Sequence, residues 1–279
     1  MTKLGYIEGK SIVYDLQKLN AEPIGEKRVV KKFVDDKVDL ILAFPTEPAV
    51  TAKAFTLGTD IPVVFAMSGI EGNNLVNRVD YPGKNITGVR YPEPELTVKR
   101  FEILRELAPH AKRIYIIYDP DYPIAPYALE QLRAAATSSG ITLVEDTVRS
   151  VQKIQVVLSK RAVLSDIGVD AILIMPEILT QSPDAWAIIS NFATEHKLPI
   201  GGSAAFEADS GAIFSYIPDL IEVGEMSAIL VDKIFNGTSA GSIMVVTPHS
   251  HLRLNNKVIQ KLDLKANEGL LSIADEIIR

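Results

Sequence analysis

A parallel α/β fold in two similar units is what this sequence predicts, and three observations predict it. Five short apolar runs stop abruptly at Pro, Ser or Gly and hand over to a helical pattern: Val38–Phe44 before Pro45, Ile61–Met67 before Ser68, Arg113–Asp119 before Pro120, Asp170–Met175 before Pro176, and Leu198–Ile200 before Gly201. The runs are nearly continuous rather than alternating, which marks parallel strands buried on both faces. The pattern also restarts at residue 113, after a first unit over residues 1–90.

Each element has its own local reason. Ser11–Leu16 alternates apolar and polar residues and reads as a strand. Residues 26–37 place Val29, Val30, Phe33 and Val34 at helical spacing. A strand ends at Phe44, a helix runs from Thr46 to Leu57, and Ile61–Met67 is the next strand. Residues 73–83 form a loop with a turn at Tyr81-Pro82-Gly83. Ile86–Val89 is a short strand or crossover, and Glu95–Leu107 is a helix with Phe101, Leu104 and Leu107 on one face. The second half gives strands at 113–119, 141–148, 170–175, 198–200 and 211–216. Helices at 124–139, 154–164 and 183–196 separate them, the first ended by Gly140. A long helix, Asp219–Phe235, closes at Asn236-Gly237. Met244–Val246 and His251–Leu254 read as late strands, and residues 255–262 and 268–278 as final helices. Pro92, Pro94 and Pro218 flank the expected crossings. The first lobe is then 1–90 plus 217–240, and the second 91–216 plus 241–279, with a cleft between two such units as the commonest place for a small ligand.

Composition narrows the function. Apolar residues make up 47% of 279 and charged residues 23%, enough for a real core. A net charge of −6 leaves no basic stripe to neutralise phosphates, so nucleic acid is not the expected partner. There is no Cys, hence no disulfide, thiolate nucleophile or Cys metal site. No run reaches the ~18 apolar residues of a membrane span, and Met1-Thr-Lys-Leu-Gly5 is not a signal peptide, so any leader is expected to be absent from this chain. The sequence holds no P-loop, no Gly-x-Gly-x-x-Gly and no nucleophile elbow. His249 and His251 share a strand face without a third ligand, and His110 and His196 sit at helix ends. No metal and no cofactor are expected.

Ligands of open α/β sheets sit outside the carboxyl ends of the strands, which selects the candidate residues. Thr46 and Glu47 open the helix after the second run. Thr46 is either a ligand contact at a helix N-terminus or a cap, and Glu47 complements the helix dipole or faces ligand. Ser68 and Gly69 end the next strand, as a plain turn or a close backbone approach. Tyr122 follows Asp119-Pro120-Asp121 and either stacks on a ligand or packs in a turn. Glu177 and Ser203 end two further strands, Ser203 in a small-residue turn leading to Phe206. Tyr216 and Asp219 lie where the chain returns to the first unit, as hinge residues or contacts. Trp186, on a helix body, is a packing residue.

Several segments, in order over nearly the whole chain, resemble one family. They are Leu4–Lys10, Lys37–Ile41, Asp60–Phe65, Asn85–Val89, Leu107–Arg113, Tyr118–Pro120 and Leu271–Ile277. The family is that of the substrate-binding components of ABC importers, of a kind whose members are uncharacterised or bind tryptophan or tyrosine. The resemblance implies a type I periplasmic-binding fold of two Rossmann-like lobes, a solute held between them by hinge closure, permease membrane subunits as partners, and a periplasmic or extracellular, lipid-anchored location. The chain departs from the family twice. The family begins with a strand and helix before the Leu-Gly-Tyr motif, so the first strand of the first lobe is expected to be absent, either because the chain starts late or is truncated, or with the gap repaired by closing of its sheet or by segment exchange in a homodimer. After Met175, where amino-acid binders of the family carry Asp-Asn, this chain reads Pro176-Glu177-Ile178-Leu179-Thr180. The expected function is binding of a small polar or amino-acid-like solute. The alternatives are an isomerase or racemase with paired acid and base groups, which needs a residue pair the sequence does not offer, and a ligand-sensing domain of a signalling protein.

Overall fold

The computed structural model describes residues 1–19 and 23–279. The chain divides into two compact units: Met1–Pro92 with Pro218–His249, and Glu93–Ile217 with Ser250–Arg279.

In the first unit α1 (Pro23–Asp35), β1 (Ile41–Ala43), α2 (Thr46–Phe55), β2 (Val63–Ser68) and β3 (Ile86–Arg90) follow one another. The three strands form a parallel sheet in the order β1-β2-β3, with Phe65 opposite Ala43 and Gly88. The apolar run of β2 is continuous because both of its faces are covered. Val63 and Phe65 pack with Val30 of α1 and Ala49 and Ala52 of α2. Val64 and Ala66 pack on the other side against Val223, Leu230 and Val231 of the helix that returns to this unit, Leu220–Phe235.

Gly88 is required by this packing. A Cβ there would collide with the carbonyl oxygen and ring of Phe65, which is itself fully buried. Gly88→Ala is therefore expected to destabilise the protein by about 1–3 kcal/mol through overpacking. Urea unfolding measures this, and a loss below about 0.5 kcal/mol, the size of an ordinary surface effect, contradicts it.

The second unit carries α3 (Glu93–Leu107), β4 (Arg113–Tyr118), α4 (Ala125–Ser138), β5 (Thr142–Thr147), α5 (Val151–Ala162), β6 (Ala171–Leu173), α6 (Pro183–Glu195), β7 (Ile200–Gly202), α7 (Ala205–Asp209) and β8 (Phe214–Pro218). The helix α8 (Leu220–Phe235) belongs to the first unit, and the second resumes with β9 (Ser250–Asn255), α9 (Asn256–Lys261), α10 (Glu268–Ile273) and β10 (Glu276–Ile278). Its seven strands run in the order β10-β9-β8-β7-β6-β4-β5. The β4–β5, β4–β6, β6–β7, β7–β8 and β9–β10 pairings are all parallel. Alternation within β4 sorts its two faces. Ile114 and Ile116 join Phe101, Leu104, Leu107, Leu129 and Leu132 under α3 and α4. Tyr115 and Ile117 join Ile154, Leu158, Trp186 and Ile189 under α5 and α6.

The structure corrects the sequence reading at four places. Ser11–Leu16 is not a strand: only an isolated bridge joins Glu8 and Ile12, and Val13 and Leu16 are exposed. Alternation records the capacity to be a half-buried strand, but a strand exists only when another segment pairs with it. Met244–Val246 is likewise a single bridge, from Val246 to Val89, rather than a strand. That contact moves residues 241–249 into the first unit, because Val246 N–H donates to Gly88 and its carbonyl accepts from Arg90, while Val245 enters the first core. The final helix stops at Ile273, and Glu276–Ile278 adds an edge strand to β9.

Candidate functional site

In the first unit, three candidates meet where β1 and β2 end. Thr46 is the first residue of α2, with Pro45 in the capping position, so Thr46 does not cap the helix. Its hydroxyl oxygen instead accepts the Gly69 N–H at 3.0 Å. The Ser68 hydroxyl donates to the Pro45 carbonyl at 3.0 Å, and Ser68 is fully buried. Thr46, Ser68 and Gly69 thus lock two strand-end loops together. Glu47 lies in the first turn of α2, where a carboxylate complements the dipole. Its charge, after burial, helps hold the Glu26 carboxyl above the ordinary range.

In the second unit, Tyr122 and Glu177 line one small pocket at the ends of β4 and β6, together with Glu93, Ile124, Ala125 and Met175. Glu177 is 3% exposed. Its Oε2 accepts the Asp119 N–H at 2.8 Å, while Oε1 is buried and has no hydrogen-bond partner. Burial, assisted by the Asp119 charge, pushes the Glu177 carboxyl up to about 7 against the pull of the Asp119 N–H and the Thr180 hydroxyl. The Thr180 hydroxyl itself donates to the Met175 carbonyl at 2.9 Å.

The remaining candidates are placed elsewhere. Ser203 is buried, and its hydroxyl oxygen accepts from the Gln181 side chain at 2.9 Å. Phe206 is half exposed and packs edge-on against Trp186, with ring centroids 5.8 Å apart. Tyr216 packs on the core under α3, and its carbonyl accepts from Arg100 Nε at 2.8 Å. Asp219 caps α8, accepting the Ile221 N–H at 2.8 Å. Among the described residues no cluster of His, Asp and Glu has the arrangement of a metal site.

Sequence reasoning missed three charged residues. Glu93 and Arg100 are both fully buried and pair at 3.2 Å, and Thr97 also bonds Glu93. The signal was present: residues 93, 96, 97, 100 and 104 fall on one helix stripe, so two opposite charges lay within an otherwise apolar face. Glu207 closes a capping arrangement, its Oε2 accepting from Ser203 N–H (2.5 Å) and Ala204 N–H (2.9 Å). Burial pushes it up to about 7, opposed by those bonds and by the Arg100 charge. A Glu three residues past the start of a helix is the sequence mark of such a cap.

The family model for ABC transporter substrate binding proteins matches residues 1–278. The chain belongs to this family. A tyrosine-binding protein of Clostridioides difficile (strain R20291) is 27% identical over 267 residues, covering 94% of this chain and 73% of that one. A solved conserved domain protein from Vibrio cholerae superposes with a TM-score of 0.84 at 26% identity, covering 99% of this chain and 90% of that chain. An ABC domain from Streptococcus pneumonia, solved in complex with L-Trp, gives 0.83 at 23% identity, over 99% and 91%. The substrate-binding protein therefore has the type I periplasmic-binding fold, with sheets dominated by parallel pairs. As the solute-binding component of an ABC transporter it captures a small molecule for permease subunits, in the periplasm or outside the cell. No described helix is long and apolar enough to cross a membrane.

Proposed function

We propose that the solute is an amino acid, in the first place an aromatic one, and that the strand-end loops of the second unit that carry Tyr122 and Glu177 supply contacts to it. The observation that carries this reading is Glu177: a buried carboxyl with one oxygen that has no hydrogen-bond partner, at a strand end, in a pocket that Tyr122 also lines. A zwitterion with an aromatic part matches an acidic group flanked by an aromatic one. The name of the C. difficile relative and the L-Trp complex of the S. pneumonia structure support the same class of solute.

The reading requires no covalent step. Ligand contacts favour the conformation that the permease recognises, by their differential affinity for it. It also takes the native protein to be lipid-anchored and to have no nucleic-acid partner.

Thermal unfolding against L-tyrosine, L-tryptophan, other amino acids, sugars and nucleosides tests the proposal. A ligand at 100 times its Kd adds about 2.7 kcal/mol to the folded state, which raises Tm by roughly 5 °C or more for a protein of this size. A shift with an aromatic amino acid is expected. A shift confined to sugars or nucleosides contradicts the assignment.

A further inference from the structure

A carboxyl buried without a cation is costly, and folds that keep one neutralise it or use it. Glu177 has been left in this condition from every side. The loop after β4 contributes a backbone N–H and the like charge of Asp119. The start of α3 contributes Glu93, already paired with Arg100 and bonded by Thr97. The segment leading into α4 contributes only the Tyr122 side chain and the apolar Ile124 and Ala125. Its own loop contributes the neutral Thr180 hydroxyl, which donates to the Met175 carbonyl and also pulls the Glu177 carboxyl down. No basic side chain among the described residues pairs with Glu177.

We propose that Glu177 Oε1 receives the ammonium group of the solute and that docking expels a proton from the carboxyl, so that solute capture is coupled to proton release. The inference rests on the amino-acid reading above. The balance is simple: the protonated carboxyl and an ammonium ligand become a carboxylate–ammonium pair and one proton delivered to solvent. No other group changes its covalent state.

The coupling has a definite pH course. With the free carboxyl at about 7, about half a proton per bound ligand leaves at pH 7. That figure approaches one near pH 6 and falls toward zero at pH 8. Affinity accordingly rises with pH up to about 7 and then levels off, because below that range the proton competes with the ammonium group.

Calorimetric titration of the full chain with L-tryptophan and L-tyrosine, in phosphate and in Tris buffers at pH 6, 7 and 8, reads the released protons directly. It is repeated with indole-3-propionate, which lacks the amine, and with Glu177→Gln. The proposal expects buffer-dependent heats in the native protein and none in the variant. It expects about a 100-fold loss of amino-acid affinity in the variant. It also expects the discrimination against indole-3-propionate to shrink there, a change that a merely structural role for Glu177 does not produce. Amino-acid binding with buffer-independent heats, or an unweakened variant, overturns the proton-coupled dock while leaving the amino-acid reading intact. Absence of binding by both amino acids to the native protein overturns the reading and this inference together.

Discussion

Arg100→Met is expected to cost about 3–5 kcal/mol of stability, the cost of removing one partner from a buried ion pair. Arg100 and Glu93 are both inaccessible to solvent, with the guanidinium 3.2 Å from the carboxylate. The same guanidinium ties α3 to β8 through the Tyr216 carbonyl. Removing it strands the Glu93 charge in a dry environment and leaves that carbonyl without its donor. The double variant Arg100→Met/Glu93→Gln is expected to recover at least half of the loss, because the stranded charge goes with it. Urea unfolding of the single and double variants measures both numbers. A single variant within about 1 kcal/mol of the native protein, the range of an exposed ion pair, contradicts this account of the α3 stripe.

Glu207→Gln is expected to do the opposite, by an amount that grows as the pH rises from about 4.5 to about 7. The folded-state carboxyl lies at about 7, above its ordinary 4.5, with burial as the leading cause. Between these values the folded protein holds a proton that the unfolded chain has released. Stability is therefore fully present below about 4.5 and is lost as the pH rises toward 7, by up to about 3 kcal/mol. A glutamine keeps an oxygen for the Ser203 and Ala204 N–H groups and carries no charge to bury. The variant is expected to match the native protein at pH 4.5 and to exceed it by about 2–3 kcal/mol at pH 8. Unfolding curves at the two pH values check this. Parallel pH profiles for native and variant protein contradict it.

Much of the architecture was legible in the sequence because burial on two faces leaves a plain mark. The stretches 114–118 and 171–175 are apolar without a break because β4 and β6 are each packed on both sides. The starts of α6 and α8 were legible beside their caps, Ser182 and Asp219, whereas α5 begins at Val151 after the cap Ser150, three residues before the start the sequence suggested. The failures share a cause: pairing is a property of two segments, and a single segment cannot report it. Ser11–Leu16 alternates well and pairs with nothing described beyond one bridge, whereas Glu276–Ile278 reads as the end of a helix and becomes a strand because β9 is beside it.

The candidate site was legible in position and not in chemistry. Strand-end logic found Glu177 and Tyr122, which share a pocket, Thr46 and Gly69, which bond each other, and Ser68, which bonds Pro45 beside them. It also selected Asp219, whose role is a helix cap, and Ser203, whose hydroxyl is taken by Gln181. It did not reveal that Glu177 lacks a cation while Glu93 has one, because that difference arises from a contact spanning seven residues of α3. Spacing shows which charges share a face; only packing shows which of them is left alone.

The most direct test of the central claim is a calorimetric titration of the native chain with L-tyrosine and L-tryptophan. The account predicts saturable one-to-one binding of at least one of them, lost when the amine is absent. Heats no larger than those of dilution for both, beside saturable binding of a solute without an ammonium group, would contradict it.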